Sequence, residues 1–154
     1  MSDTCISHIE NYWKTLTMTA NDSFHNGDYD KALTGYQDAL FRAELLNNYQ
    51  EDCTRLTIPF MQVYIISCNN LANTYSELGQ CEMEEKMRTR VVYYLLHLSR
   101  HGHFDLNELQ QEFRRASISL LDFVGKKGGR KGQEELLQNL KDQLAENHLI
   151  HISE

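Results

Sequence analysis

Few side chains in this sequence have both the type and the spacing that chemistry demands. His97 and His101 stand four residues apart, which places them on one face of a helix, and His103 follows two residues later. Imidazole is a common ligand of Zn and Ni. No carboxylate or cysteine at a defined further spacing completes such a site, so the ordinary role of these residues is that of helix-end histidines favourably set against the helix dipole. A small helical metal protein or enzyme using His97 and His101 is the alternative. His148 and His151 form an H-x-x-H that lacks the glutamate of H-E-x-x-H, and protease chemistry is not indicated. There is no G-x-S-x-G, no Cys-His framework and no dinucleotide fingerprint, and Glu84 and Glu85 fall on an expected polar helical face. These patterns predict a protein that is not an enzyme, with no cofactor and no bound metal.

Two clusters could instead serve binding. Asn69, Asn70 and Asn73 place three amides in the middle of an apolar helical segment, each able to donate to and accept from a peptide backbone. The ordinary reading of such asparagines is as solvated or capping groups, and what favours a groove is their place in so apolar a segment. The run from Gly125 to Gly132 carries Lys126, Lys127, Arg130 and Lys131 ahead of an expected helix N-terminus, where an anion would be favoured. It lacks the Gly-Lys-Ser/Thr ending of a P-loop, so it reads as a solvated basic loop at 125–132 with contact to a phosphate or acidic partner as the minority role. Trp13 and the eight tyrosines include several at core spacing and are assigned to packing rather than to a ligand box.

The elements that would position these groups are helical throughout. One proline (Pro59) and eight glycines leave few breakers inside the periodic segments, and 41% hydrophobic residues suffice for a core. A first helix is expected from about residue 8 to 25, with Ser7 and Glu10 at capping-box spacing and Ile9, Tyr12, Trp13, Leu16 and Ala20 on one face. Gly27 turns the chain, Asp28 caps a second helix, and Tyr29, Ala32, Leu33, Tyr36, Ala39, Leu40, Ala43 and Leu46 form its face. The polar segment from Asn47 to Arg55 contains its end, and Thr57 is the expected cap of a third helix with Pro59 in its first turn. That helix, through Leu78, is the central buried one. Gly79 closes it, a fourth runs from about Cys81 to Arg100, a fifth begins at a capping box of Asp105 and Glu108, and a sixth follows the basic loop.

The stretch from Gly27 to Leu40, GDYDKALTGYQDAL, resembles the turn and second helix of a tetratricopeptide repeat, with Gly27, Tyr29, Ala32, Tyr36, Ala39 and Leu40 at the family's turn and packing positions. Leu71, Ala72, Tyr75 and Gly79 match the first-helix signature of a second unit, whereas Cys81, Glu84 and Arg88 replace its aromatic, small and aromatic positions. The turn glycines 27, 79 and 128 are 52 and 49 residues apart, against a family period of about 34. The resemblance implies an all-α fold in which six antiparallel helices make three stacked, elongated hairpins in a short right-handed superhelix. The hairpins would cover about 8–52, 57–101 and 105–147 of a single domain, 1–154. It further implies a groove lined by the first, third and fifth helices that binds a peptide or partner helix. One subfamily grips a terminal carboxylate there, and on this chain Asn21, Asn70 and Arg115 fall at or near its positions. Thr17 stands where its first lysine would be, with Lys14 one turn earlier.

The expected function is therefore a protein–protein interaction module, the partner being another protein or peptide. A chaperone like those of type III secretion is an alternative of similar size and charge, although the long hairpins depart from that family. A net charge of −7 argues against nucleic acid and anionic membranes as partners. The most apolar run, Ile58 to Cys68, is too short and interrupted to span a bilayer. Four cysteines without a C-x-x-C pair, and no cationic and apolar leader, predict a reducing, cytoplasmic setting, and the protein is expected to be bacterial. Val91, Val92, Tyr93, Tyr94, Leu95, Leu96 and Leu98 exceed one helical face, which makes the second half of the fourth helix a candidate homodimer surface.

Overall fold

The computed structural model describes residues 1–101 and 104–127, with residues 135, 138, 139 and 142. Among the described residues there are six helices: α1 (Asp3–His25), α2 (Tyr29–Asn47), α3 (Gln50–Arg55), α4 (Phe60–Glu77), α5 (Cys81–His101) and α6 (Leu106–Lys127). Among the described residues there is no strand, as the scarcity of breakers and the helical periodicities require. The helix expected at 133–147 lies outside the described residues apart from isolated positions. The chain divides into two compact units, Met1–Met87 and Arg88–Glu154.

In the first unit α1 packs along α2, and α2 packs along α4. The turn between α1 and α2 is a Schellman motif: Gly27 adopts φ +81°, its N–H donates to the Phe24 carbonyl, and the Asp28 N–H donates to the Ser23 carbonyl at 2.9 Å. Asp28 then caps α2, its Oδ1 accepting from the Lys31 N–H at 3.3 Å. Phe24 and Tyr29 meet edge to face across this turn, 5.2 Å between ring centroids. Gly79 repeats the arrangement after α4 with φ +71° and a bond from the Gln80 N–H to the Tyr75 carbonyl.

Helix boundaries depart from the sequence reading in three places. Helix α1 begins at Asp3, because Ser2 caps it by accepting from the Cys5 N–H at 3.2 Å, so Ser7 lies inside the helix rather than at its start. The polar segment after α2 forms the short helix α3, tied to α1 by Arg55, which donates through both Nη atoms to Asp3 at 2.7 and 2.8 Å and to Asp52 at 3.0 Å. The guanidinium holds the Asp3 carboxyl below the ordinary carboxylate range, and the two carboxylates raise Arg55 in turn. Thr57 does not cap α4. It is the left-handed residue of a third Schellman motif, with φ +59° and the Ile58 N–H bonded to the Cys53 carbonyl at 2.8 Å. Pro59 occupies the cap position of α4, where its missing N–H leaves no donor to satisfy.

The core of this unit is built from Ile6, Trp13 and Ala20 of α1, from Ala32, Tyr36, Ala39, Leu40, Ala43 and Leu46 of α2, and from most of α4. Small residues set the approach of the first two helices. A Cβ placed on Gly35 would lie 2.9 Å from the Ala20 Cβ, so only glycine fits there at this separation. Polar ties cross the same core: the Trp13 indole donates to Ser67 Oγ at 2.7 Å, and Ser67 donates onward to the Val63 carbonyl at 2.9 Å. Gln37 of α2 donates to the Tyr75 hydroxyl of α4 at 3.3 Å. Buried Cys53 donates its thiol to the Leu46 carbonyl, and burial, with Asp52 and Glu10 adding to it, pushes its pKa up to about 11.

In the second unit Val91, Val92, Leu95, Leu96 and Leu98 of α5 are buried, as are Leu109, Phe113, Ala116, Leu120 and Phe123 of α6. Arg88 donates to Ser119 Oγ at 3.0 Å. Of the α5 residues offered above as a homodimer surface, Tyr93 is exposed and Tyr94 half-buried, while the other five are covered within the chain. Glu84 is buried and Glu85 exposed, so only Glu85 of the pair lies on the expected polar face; Glu84, about 100° away round the helix, falls inside the buried arc. No helix among the described residues is long and apolar enough to cross a membrane.

Candidate interaction site

The apolar residues of α1 and α2 outnumber the positions facing the core. Helix α1 buries Ile6, Trp13, Thr17, Ala20 and Ser23, which leaves Ile9 half-buried and Tyr12 half exposed at 50%. Helix α2 buries the Ala32–Leu46 face, so Phe41, one residue beyond Leu40, turns away and stands 55% exposed. These leftovers meet on the outer side of the helix pair, where His8, Ile9, Tyr12, Phe41, Arg42 and Leu45 line a groove of about 480 Å³. The Arg42 guanidinium carbon sits 4.9 Å from the Tyr12 ring centroid and 5.2 Å from that of Phe41, a cation–π arrangement with both rings. Its Nη1 donates to the Asp38 carbonyl at 3.4 Å, one helical turn back. The groove thus offers exposed aromatic area beside an anchored cation, a composition typical of strong contact points in protein interfaces.

The site residues expected from sequence lie elsewhere. Thr17, at the position matching the missing lysine, is buried with its hydroxyl lacking a hydrogen-bond partner. Asn21 is half-buried and accepts from the Tyr36 hydroxyl, so its side chain ties α1 to α2. Burial also raises the pKa of that tyrosine. Lys14 is exposed and pairs with Glu10 at 3.8 Å. On α4, Asn69 and Asn70 are half-buried and Asn73 exposed, and the Asn70 carbonyl accepts from Thr74 Oγ1 at 2.7 Å. Arg115 belongs to the second unit and pairs with Glu112 at 2.7 Å.

The basic loop is also corrected in part. Helix α6 extends through Gly125, Lys126 and Lys127, so this part of the expected loop is helical. Arg130 and Lys131 lie outside the described residues. His97 and His101 are exposed on one face of α5 with ring centroids 4.6 Å apart and planes tilted by 46°, while His103 and the pair His148 and His151 are outside the described residues. Among the described residues no group of three or more His, Cys, Asp or Glu side chains is placed to hold a metal.

The sequence did carry a signal for the groove. Ile9, Tyr12, Phe41 and Leu45 repeat at three- and four-residue steps beside the core faces, and a second stripe of this kind marks an apolar surface the helix pair does not consume. No curated protein and no solved structure matches the chain. Residues 11–152 match the family model described as protein of unknown function (DUF2753), and the chain belongs to that family.

Proposed function

We propose that this protein is a non-catalytic, tetratricopeptide-like scaffold that binds a peptide or helix of another protein in the groove between α1 and α2. One observation carries the reading: Tyr12 and Phe41 are held half exposed on either side of Arg42 in a groove of about 480 Å³. Large exposed apolar patches are disfavoured on monomeric proteins and mark contact surfaces. The hairpin reading is supported by the Schellman turns at Gly27 and Gly79 and by the close approach of α1 and α2 at Ala20 and Gly35. The binding surface proposed here lies on the α1–α2 pair instead of the groove of first, third and fifth helices expected from the repeat resemblance.

The test is photocrosslinking in cells, with a benzoylphenylalanine replacing Ile9 or Leu45 in the full chain and a second probe replacing exposed Met18 as control. A defined adduct at the groove positions, absent at Met18 and lost in the Tyr12→Ala plus Phe41→Ala variant, is the expected result. Identical adducts with and without the two aromatic rings would sink the reading.

A further inference from the structure

We infer that the groove's occupant is an acidic amphipathic segment, its apolar side chains seated on Tyr12, Phe41 and Leu45 and a carboxylate paired with Arg42. The inference rests on the groove being a docking surface and adds the chemistry of what docks. It begins with the charge of the lining. Its basic members are His8 and Arg42, and no carboxylate lines the groove. Arg42 makes no ion pair among the described residues, whereas Lys14, Arg55 and Arg115 each hold a carboxylate. In a chain with 22 acidic and 15 basic residues, Arg42 is a cation that no acid among the described residues pairs.

The geometry suits a carboxylate. The guanidinium carbon lies 4.9 and 5.2 Å from two ring centroids, and Nη1 bonds the Asp38 carbonyl, which restrains a side chain that would otherwise lose much rotamer freedom on binding. A guanidinium holds its N–H donors in a planar fork, and that fork matches a carboxylate in pairs. A groove of about 480 Å³ accommodates a few side chains from adjacent turns of a helix, so the occupant is a segment and not a whole domain surface.

A second copy of the chain fits less well. A two-fold interface presents the same patch from both sides, so it would bring two Arg42 side chains and two His8 side chains together with no acid between them. The two copies would also each carry a net charge of −7.

The test is selection of a displayed library of random 16-residue peptides on the full chain, followed by titration of a fluorescein-labelled consensus peptide. The expected winners carry apolar residues at three- and four-residue spacing with adjacent Asp or Glu. Arg42→Gln is expected to weaken the consensus peptide at least tenfold while leaving its all-Gln counterpart within twofold. Phe41→Ala is expected to weaken both peptides. Winners that are neutral or basic but sensitive to Phe41→Ala would overturn the acidic chemistry and leave groove docking in place. No Phe41-sensitive winner at all would overturn both. A dimer in sedimentation equilibrium that Phe41→Ala dissolves would assign the groove to a second copy and overturn the inference.

Discussion

Replacing Gly35 with alanine tests the closest approach in the fold. In an isolated helix this change stabilises by about 1 kcal/mol, since glycine is the weaker helix former by that amount. Here the new Cβ would lie 2.9 Å from the Ala20 Cβ, an atom fixed to its own backbone and unable to rotate away. The helices must therefore separate, and overpacking of this kind costs about 1–3 kcal/mol. The steric cost exceeds the propensity gain, and the net expectation is a loss of about 1 kcal/mol, or about 2–4 °C in Tm. The converse change, Ala20→Gly, gives up about 1 kcal/mol of propensity and about 0.8 kcal/mol of methyl burial. Combining the two moves the methyl from one helix to the other. With the Ala20 Cβ gone, the next neighbours are the Ala20 Cα at 3.6 Å and the Leu16 carbonyl at 3.9 Å, ordinary contacts. The double variant should then return to within about 0.5 kcal/mol of the parent, where the sum of the single effects predicts a loss of about 3 kcal/mol. Urea denaturation followed by Trp13 fluorescence reports this unit directly, because the chain's one tryptophan lies in its core. A Gly35→Ala variant more stable than the parent, or a double variant as unstable as the sum, would refute the packing argument.

Thr57→Gly should raise stability by about 0.5–1 kcal/mol, because it relieves an exposed β-branched residue at φ +59° with no buried side chain lost; a thermal melt at or below the parental Tm would contradict this. Ser67→Ala should cost about 1–3 kcal/mol by stranding the buried Trp13 N–H, and Trp13→Phe in that background should restore part of the loss, which a double-mutant denaturation cycle measures. The Cys53 thiol has its pKa raised from 9.0 to about 11, so the folded state favours the neutral form. Its contribution to stability is full below pH 9 and is lost as pH rises through 11, and urea midpoints measured from pH 8 to 11 should fall across that window. At pH 8 a thiol reagent should modify exposed Cys5 rapidly and buried Cys53 and Cys68 only on unfolding, which mass spectrometry of timed aliquots resolves.

Several elements were legible from the chain. The turn at Gly27, the cap at Asp28 and the buried face of α2 follow from local chemistry, since a left-handed C′ position selects glycine and a 3.6-residue period selects one face. Asp105 likewise meets its expectation at the start of α6, accepting from the Asn107 N–H at 2.9 Å. Thr57 misled because its role as a left-handed C′ residue has no composition signal: threonine is common at caps and rare at positive φ. The start of α1 was missed because the capping-box spacing of Ser7 and Glu10 points to a later start, whereas the Arg55 tie to Asp3 and the buried Ile6 favour the longer helix.

The sequence by itself determined that the described residues are helical and that turns fall at Gly27 and Gly79, because propensity, capping and periodicity act over a few residues. It also contained more apolar positions on α1 and α2 than one face can hold. Which of them enter the core was decided by tertiary packing: Gly35 and Ala20 let the two helices close to a separation at which Trp13 reaches Ser67 and Tyr36 reaches Asn21. That rotation of α1 left Ile9 and Tyr12 outside, next to Phe41 and Leu45 from a helix about 30 residues later, and put Arg42 between the rings. The groove is a property of two helices at one mutual rotation, and neither helix specifies it alone.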